Sequence, residues 1–316
     1  MDIVLVIAGL GLLLAAGDLL VRGAVALSLK LGIPVLIVGL TLVAFGTSAP
    51  ELLISIDAAL SGVPDIAIGN VVGSNIANVL MVLGVPAVIS TIHAIGNGSR
   101  RSFVQMLAAS VLLIVLAAFG PLHYWQAAVL LAIFGLIMSD MFREARAAPS
   151  SVVEEVKELG SRMNAGKMWL YLIAGVVGLP LGAHLLIEGA VGISRELGIS
   201  EAVIGLTMVA IGTSLPELST TVAAALRGQA DVAIGNVIGS NLFNILLILG
   251  VTSLFGPIPV GPEFLARDLW VMLGCSLLLA PFVLRGVPMG RMAGALFLLL
   301  YAGYIYVLFR NGGALA

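Results

Sequence analysis

The sequence predicts an all-α integral membrane protein whose ten transmembrane helices form two inverted five-helix repeats. Of its 316 residues, 60% are hydrophobic and 10% are charged, and the mean hydropathy is +1.16. This composition does not fit a soluble globular domain. Apolar runs of about 20 residues, long enough to cross a bilayer, recur along the chain. Residues 9–84 also align with residues 175–250 at a constant offset of 166 without a gap, so the chain is a duplicated unit.

The predicted spans divide equally between the two halves. The first five are 3–28, 33–60, 65–92, 102–121 and 123–142. The second five are 168–194, 201–226, 231–256, 267–284 and 289–309. Because five is an odd number, the second half enters the membrane from the opposite side, which makes the repeats inverted. We therefore expect one repeat at residues 1–143, a second at 168–316 and a polar cytoplasmic linker at 144–167.

The positions of lysine and arginine predict that the N-terminus lies outside. With that orientation only Arg195, Arg267 and Arg310 of the 15 basic residues fall on the outer side, and loops rich in lysine and arginine stay in the cytoplasm. The chain starts without a basic segment before its first apolar run, so we expect that run to be an uncleaved helix. The expected location is the cell membrane, that is, the plasma or inner membrane, with the lipid bilayer as the main surrounding partner.

Composition also excludes several classes of function. A formal net charge of -2 and a pI near 5.9 provide no basic surface for nucleic acid. The single cysteine, Cys275, lies in an apolar run, so the chain can form neither an internal disulfide framework nor a thiolate metal site. The sequence leaves the oligomeric state open.

The second span contains a carboxylate where an ionisable side chain is costly. Glu51 shares one helical face with Ala44, Thr47 and Ser48, because the four residues are spaced i, i+3, i+4 and i+7. Pro50 lacks the N–H that would bond the carbonyl four residues earlier, so we expect a kink that frees backbone carbonyls. Carboxylate, hydroxyl and carbonyl oxygens are the ligands that hard cations such as Na⁺ and Ca²⁺ prefer.

The seventh span repeats this arrangement, and 25 of the 40 aligned positions from 39–78 and 205–244 are identical. The corresponding residues are Ala210, Thr213, Ser214, Pro216 and Glu217. Histidine and cysteine accompany neither copy, which argues against a zinc or copper site. In an inverted pair, Glu51 would face Glu217 near the membrane midplane, and two glutamates offset the charge of one Ca²⁺ or two Na⁺ ions.

The third and eighth spans add a polar stripe to otherwise apolar helices. Residues spaced by four lie on one helical face, and here they are Asn70, Ser74 and Asn78 in one copy and Asn236, Ser240 and Asn244 in the other. Outside these stripes, Asp65 and Asp231 stand where a helix is expected to begin, so we expect both to act as helix caps. Two pairs one turn apart, Asp18 with Arg22 and His184 with Glu188, are expected to interact.

The two motifs together resemble a known family. G-T-S-x-P-E followed by G-N-V-x-G-S-N-x-x-N, present in two copies, is similar to the alpha-repeats of the sodium/calcium exchanger branch of the calcium/cation antiporter superfamily. The resemblance implies ten helices and alternating access around a central site, with Na⁺ and Ca²⁺ as the transported ions. We expect no enzymatic activity and no cofactor.

The resemblance also implies a ligand set. Glu51 and Glu217 would bind both ions, and the carbonyls of Thr47 and Thr213 would join them for Ca²⁺. The flanking Na⁺ positions would be lined by Ser48, Ser74, Asn78, Ser214, Ser240 and Asn244, with the carbonyls of Ala44 and Ala210. Some members, including potassium-dependent exchangers, have aspartate at the position of Asn244, which makes potassium co-transport less expected in this chain.

Other classes of function remain open from the sequence. A proton-coupled cation exchanger is the nearest alternative, although that branch usually shows G-N-x-x-E in place of G-T-S-x-P-E. An intramembrane enzyme is more distant, because neither motif pairs a nucleophile with a histidine and no arginine lies near to hold a phosphate. A passive channel is a further alternative, but two enclosed carboxylates suit an occluded ion better than a continuous wet pore.

Overall fold

The computed structural model describes residues 1–93, 97–146, 163–196 and 212–312, and in these residues all regular structure is helical. The helices of the first half are α1 (Asp2–Leu31), α2 (Val35–Thr47), α3 (Ala49–Leu60), α4 (Asp65–Ile89), α5 (Asn97–Ala118) and α6 (Tyr124–Arg146). Those of the second half are α7 (Ala165–Glu196), α8 (Leu215–Leu226), α9 (Ala230–Thr252), α10 (Phe264–Arg285) and α11 (Arg291–Gly312).

These helices confirm the predicted membrane fold. In the described part of the chain, eight helices and one bent pair are long and apolar enough to cross a bilayer. They correspond to nine of the ten predicted spans. The remaining span, 201–226, begins outside the described residues, and α8 forms its C-terminal part. Most of the linker predicted at 144–167 also lies outside the described residues.

The second span is bent, as Pro50 predicts. Helices α2 and α3 meet at an angle of 45°, and Ser48 between them has non-helical dihedral angles. Pro50 lies in the first turn of α3, where the missing N–H has no intrahelical partner to lose. The break therefore places Glu51 in the first turn of a new helix, next to Ser48.

Four of the described spans also contain π-helical turns. These turns comprise Gly39–Val43 in α2, Asn78–Val82 in α4, Phe243–Ile248 in α9 and Phe264–Asp268 in α10. Such turns interrupt the regular hydrogen-bond ladder and are frequent at functional sites. Two of them contain Asn78 and Asn244, the last residues of the predicted polar stripes.

Equivalent residues of the two halves make equivalent contacts. A Cβ placed on Gly9 would lie 2.8 Å from Leu186 Cα, and one on Gly175 would lie 2.6 Å from Leu20 Cβ. Each residue of the second contact is related to one of the first by the offset of 166. A two-fold relation predicts this reciprocity, in which residue i of one copy meets residue j of the other and the reverse also holds.

Short backbone bridges near equivalent positions also join the two halves at the helix ends. Ile92, after α4, forms a β-bridge with Met289, and its equivalent Ile258, after α9, forms one with Leu122. The N–H to O distances in these bridges are 2.8–3.0 Å. The bridges tie the end of each central helix to the start of a helix from the other half.

The apolar interior consists of two clusters. One joins α1 and α7 and includes Leu13, Leu20 and Leu179. The other is larger and surrounds α4 and α9, most of whose residues are buried. The outward faces of α1, α7 and α11 expose large apolar side chains, among them Ile3 and Leu299, as helices in contact with lipid do.

Two of the four expectations for surface charges are confirmed and two are wrong. Asp18 forms an ion pair with Arg22 at 2.9 Å, and His184 lies 3.8 Å from Glu188. Asp65 and Asp231 are the first or second residues inside their helices, and the caps are Pro64 and Gln229 without a capping side-chain bond. The expected capping fails because the chain enters each helix one or two residues earlier than the aspartate.

Candidate ion-binding site

The two G-T-S-x-P-E motifs meet at the centre of the molecule. Glu51 lies in the first turn of α3 and Glu217 in the first turn of α8, each next to a proline at the helix start. Both glutamates are 0% exposed. Proline is tolerated in a first helical turn but disfavours a continuous helix before it, so the motif itself sets a carboxylate at the start of a helix inside the membrane.

An asparagine from the following span fixes the backbone of each glutamate. The Asn70 amide donates to the Glu51 carbonyl at 3.2 Å and to the Ser55 hydroxyl at 3.0 Å. Asn236 does the same in the second copy, donating to the Glu217 carbonyl at 3.3 Å and to the Thr221 hydroxyl at 3.1 Å. The first residue of each polar stripe therefore supports the helix that carries the carboxylate.

Side chains of one repeat also contact those of the other. The Ser48 hydroxyl donates to Glu217 Oε1 at 3.1 Å. The Thr47 and Ser240 hydroxyls lie 3.5 Å apart, and the equivalent pair, Ser74 and Thr213, lies 3.3 Å apart. Ser240 is also 3.5 Å from Glu217 Oε1. The structure thus brings both motifs and both stripes into one polar cluster.

Several buried oxygens of this cluster have no hydrogen-bond partner. They are both carboxylate oxygens of Glu51, Oε2 of Glu217, the side-chain amide oxygens of Asn70, Asn78 and Asn244, and the hydroxyl of Ser214. A buried acceptor without a donor costs free energy, and a buried charge without a partner costs far more. None of the ion pairs among the described residues reaches Glu51 or Glu217. The cluster is therefore rich in acceptors and matched to positively charged species.

The structure places eleven of the twelve predicted site residues. Those buried in or beside the polar cluster are Ala44, Thr47, Ser48, Glu51, Ser74, Asn78, Thr213, Ser214, Glu217, Ser240 and Asn244. Ala210 lies outside the described residues. The carbonyl of Ala44 accepts the N–H of Ser48 at 2.9 Å and the Thr47 hydroxyl at 3.2 Å, so Thr47 must turn its hydroxyl to another acceptor before this oxygen can bind an ion.

The sequence pattern did not predict two further residues of the cluster. Asn75 and Asn241 are each 1% exposed and contact the amides of Asn244 and Asn78 across the repeat interface. Both belong to the G-S-N triplet of the repeated motif. They lie off the face defined by the spacing of four, and their recurrence in both copies was the signal that could have found them.

Comparison with known proteins agrees with this geometry. The sodium/calcium exchanger protein family matches residues 1–141 and 167–310, which is most of the chain. The chain belongs to the sodium/calcium exchanger family. It is therefore an integral membrane transporter of the cation/Ca²⁺ antiporter type, and not an enzyme.

Relatives within the sodium/calcium exchanger family cover nearly the whole chain. The sodium/calcium exchanger MaX1 of Methanosarcina acetivorans is 33% identical over 98% of both chains. Inner membrane protein YrbG of Escherichia coli is 36% identical over 92% of both. A solved structure of the sodium-calcium exchanger NCX_Mj, soaked with Na⁺ and Ca²⁺, superposes with a TM-score of 0.83 at 34% identity and covers 97% of this chain and 98% of its own.

Proposed function

We propose that this exchanger uses a Na⁺ gradient to move Ca²⁺ across the membrane by alternating access at the Glu51–Glu217 cluster. The observation that carries the proposal is the set of buried oxygens without donors at the point where the two repeats cross. Sites near the midplane at a repeat interface, built from broken helices, are typical of secondary transporters. MaX1 and NCX_Mj are sodium/calcium exchangers by name, which supports the same pair of ions.

The proposed ligands divide by the ion that they bind. Glu51 and Glu217 bind both ions, and the carbonyls of Thr47 and Thr213 complete the Ca²⁺ position. The Na⁺ positions are lined by Ser48, Ser74, Asn78, Ser214, Ser240 and Asn244 and by the carbonyls of Ala44 and Ala210. Na⁺ and Ca²⁺ are cargo in this mechanism and not cofactors.

The charge of the site makes the proposed exchange electrogenic. With two ionised glutamates, one Ca²⁺ gives a neutral complex and three Na⁺ ions give a net charge of +1. An exchange of three Na⁺ for one Ca²⁺ therefore moves one net charge per cycle, worth about 2.3 kcal/mol per 100 mV of membrane potential. An inside-negative potential should favour entry of Na⁺ and exit of Ca²⁺.

The proposed orientation places the N-terminus outside the cell membrane. Arg227 and the end of α4 then lie on the cytoplasmic side, together with the linker between the repeats. The distribution of lysine and arginine supports this orientation, since loops rich in them are retained in the cytoplasm.

Flux of radioactive calcium into proteoliposomes tests the function. An outward Na⁺ gradient should drive Ca²⁺ uptake by the wild type, and valinomycin with K⁺ should change the initial rate by setting the potential. Glu51→Gln and Glu217→Gln should each abolish the flux. Loss of one charge about 4 Å from a monovalent ion costs about 4 kcal/mol at an effective dielectric constant of about 20, or about a thousandfold in affinity. The cost is about twice as large for divalent Ca²⁺.

Asp57→Asn provides the matched control. Asp57 lies in α3 with Glu51 but is exposed, so removing its charge should leave the flux near that of the wild type. Normal Na⁺-driven flux in either glutamate variant would refute the site. Flux that ignores Na⁺ and voltage but follows a pH gradient would identify a proton-coupled exchanger, and Ca²⁺ flux without any counter-ion would identify a channel.

A further inference from the structure

We propose that Asn75 and Asn241 are positioning residues that turn the side-chain oxygens of Asn244 and Asn78 toward the transported ions. This inference rests on the proposed function, because it assigns those oxygens to ion binding. An asparagine amide has an oxygen on one side and an NH₂ group on the other. Only one of its two orientations offers a cation ligand, and the other presents hydrogens that repel a cation.

The orientation of Asn78 is set through Asn241. The Asn241 NH₂ group donates to the backbone carbonyl of Asn75 at 3.4 Å, a group that can only accept. Asn241 must therefore present its oxygen on the other side, where it accepts from the Asn78 NH₂ group at 3.1 Å. Asn78 is left with its own oxygen pointing away from Asn241, buried and without a protein donor.

A second set of contacts orients Asn244 in the same way. The Asn75 NH₂ group lies 3.5 Å from the sulfur of Met272, which is a weak acceptor and has no hydrogen to donate. The oxygen of Asn75 accepts from the Asn244 NH₂ group at 3.0 Å. The Asn244 oxygen is again buried and free of protein donors.

The bond between the two asparagines of each set is related to that of the other by the offset of 166, since Asn75 is equivalent to Asn241 and Asn78 to Asn244. The acceptors at the ends, the Asn75 carbonyl and the Met272 sulfur, are not equivalent. All four asparagines are at most 1% exposed, so water does not compete for these bonds. Each set ends at a group that can only accept, and this fixes the direction of every bond in it. Orientation is thus built into the interface between the repeats before an ion arrives, which reduces the ordering cost of binding.

A double-mutant cycle separates orientation from packing. Asn75→Leu removes the acceptor for the Asn244 amide. It should weaken Na⁺ binding about tenfold, the effect expected from the loss of one ion ligand and its orienting hydrogen bond. Asn244→Asp places oxygen on both sides of the side chain, so residue 75 no longer decides what faces the ion. When Asn244→Asp is already present, adding Asn75→Leu should therefore have little effect.

Binding is measured in detergent as the rise in melting temperature with Na⁺ or Ca²⁺ concentration, and in proteoliposomes as the Na⁺ concentration for half-maximal flux. Met272→Leu is the milder variant, because it keeps the side-chain volume and removes only the sulfur acceptor. It should shift half-saturation in the same direction by about threefold. Ser110→Ala, which removes a buried hydroxyl in α5 far along the chain from the motifs, controls for general destabilisation.

Two results would overturn the inference. One is an equal loss of affinity on Asn75→Leu in the presence and in the absence of Asn244→Asp, which would show a structural role only. The other is unchanged half-saturation in both Asn75→Leu and Met272→Leu. A wild-type protein that neither transports Ca²⁺ against Na⁺ nor is stabilised by these ions would refute the proposed function, and the inference with it.

Discussion

Close packing of α1 on α7 can be tested with a single methyl group. Gly9 is buried against α7, and a Cβ built on it would lie 2.8 Å from the backbone Cα of Leu186. Gly11, two residues further along α1, is exposed and has nothing within 4 Å of the same added atom. The substitutions Gly9→Ala and Gly11→Ala therefore add the same group to the same helix, once into contact and once into open space.

The expected magnitude follows from the contact distance. Carbon atoms pack comfortably at about 3.5–4.0 Å, so the new methyl of Gly9→Ala is about 1 Å too close to a backbone atom that has no rotamer to change. Overpacking of this kind costs about 1–3 kcal/mol. Both variants gain the same helix propensity of alanine over glycine, so the difference between them isolates the packing cost.

The assay is thermal unfolding of the purified variants in the same detergent. Because membrane proteins often unfold irreversibly, the variants are compared by the order of their unfolding temperatures. Gly9→Ala should unfold several degrees below Gly11→Ala, while Gly11→Ala should match or exceed the wild type. Equal unfolding temperatures for the two variants would show that α1 and α7 are not held at backbone contact, and would refute the packing argument.

Three further predictions concern charge, hydrogen bonding and topology. Asp18→Asn removes ion pairs to Arg22 and Arg227, whose side chains, like that of Asp18, are 32–45% exposed. We therefore expect a loss of stability below about 1 kcal/mol that shrinks in high salt, and a loss that persists in high salt would contradict this. Ser48 donates a hydrogen bond to Glu217, whereas the Ser214 hydroxyl has no partner. In ion-free protein, Ser48→Ala should therefore lower stability by about 1–2 kcal/mol and Ser214→Ala should not. The reverse order would count against the described hydrogen bonds. Single cysteines in the 144–167 linker, on a Cys275→Ser background, should resist impermeant thiol reagents in intact cells and react once the cells are opened; labelling in intact cells would place the linker outside.

Much of the fold was predictable because its causes are local. Span lengths follow from hydropathy, and the bend between α2 and α3 follows from Pro50 and the missing N–H. The meeting of Glu51 with Glu217 needed one further argument, the odd number of spans in each half. The other members of the cluster were predicted from polar residues that recur in both copies at helical spacing.

What the sequence did not predict depends on contacts between distant segments. The ion pair of Asp18 with Arg227 joins residues 209 positions apart, and no spacing rule relates them. The part played by Asn75 and Asn241 depends on which face of α4 and α9 turns toward the other repeat. The caps of α4 and α9 were predicted wrongly because an aspartate at a helix start suits the first turn as well as the cap, through its favourable charge there.

The two carboxylates have nearly identical sequence neighbours, yet they are not equivalent in this conformation. Glu217 accepts from Ser48, whereas neither oxygen of Glu51 has a donor. If the repeats exchange conformations during transport, Ser214 would serve Glu51 in the opposite state and Ser48 would be released. Each glutamate would then bear in turn the free-energy cost of a buried carboxylate without a donor, and the two end states would have closely matched free energies. The ion gradients set the direction of net flux in any exchanger, and closely matched end states would let this one cycle at comparable rates in either direction.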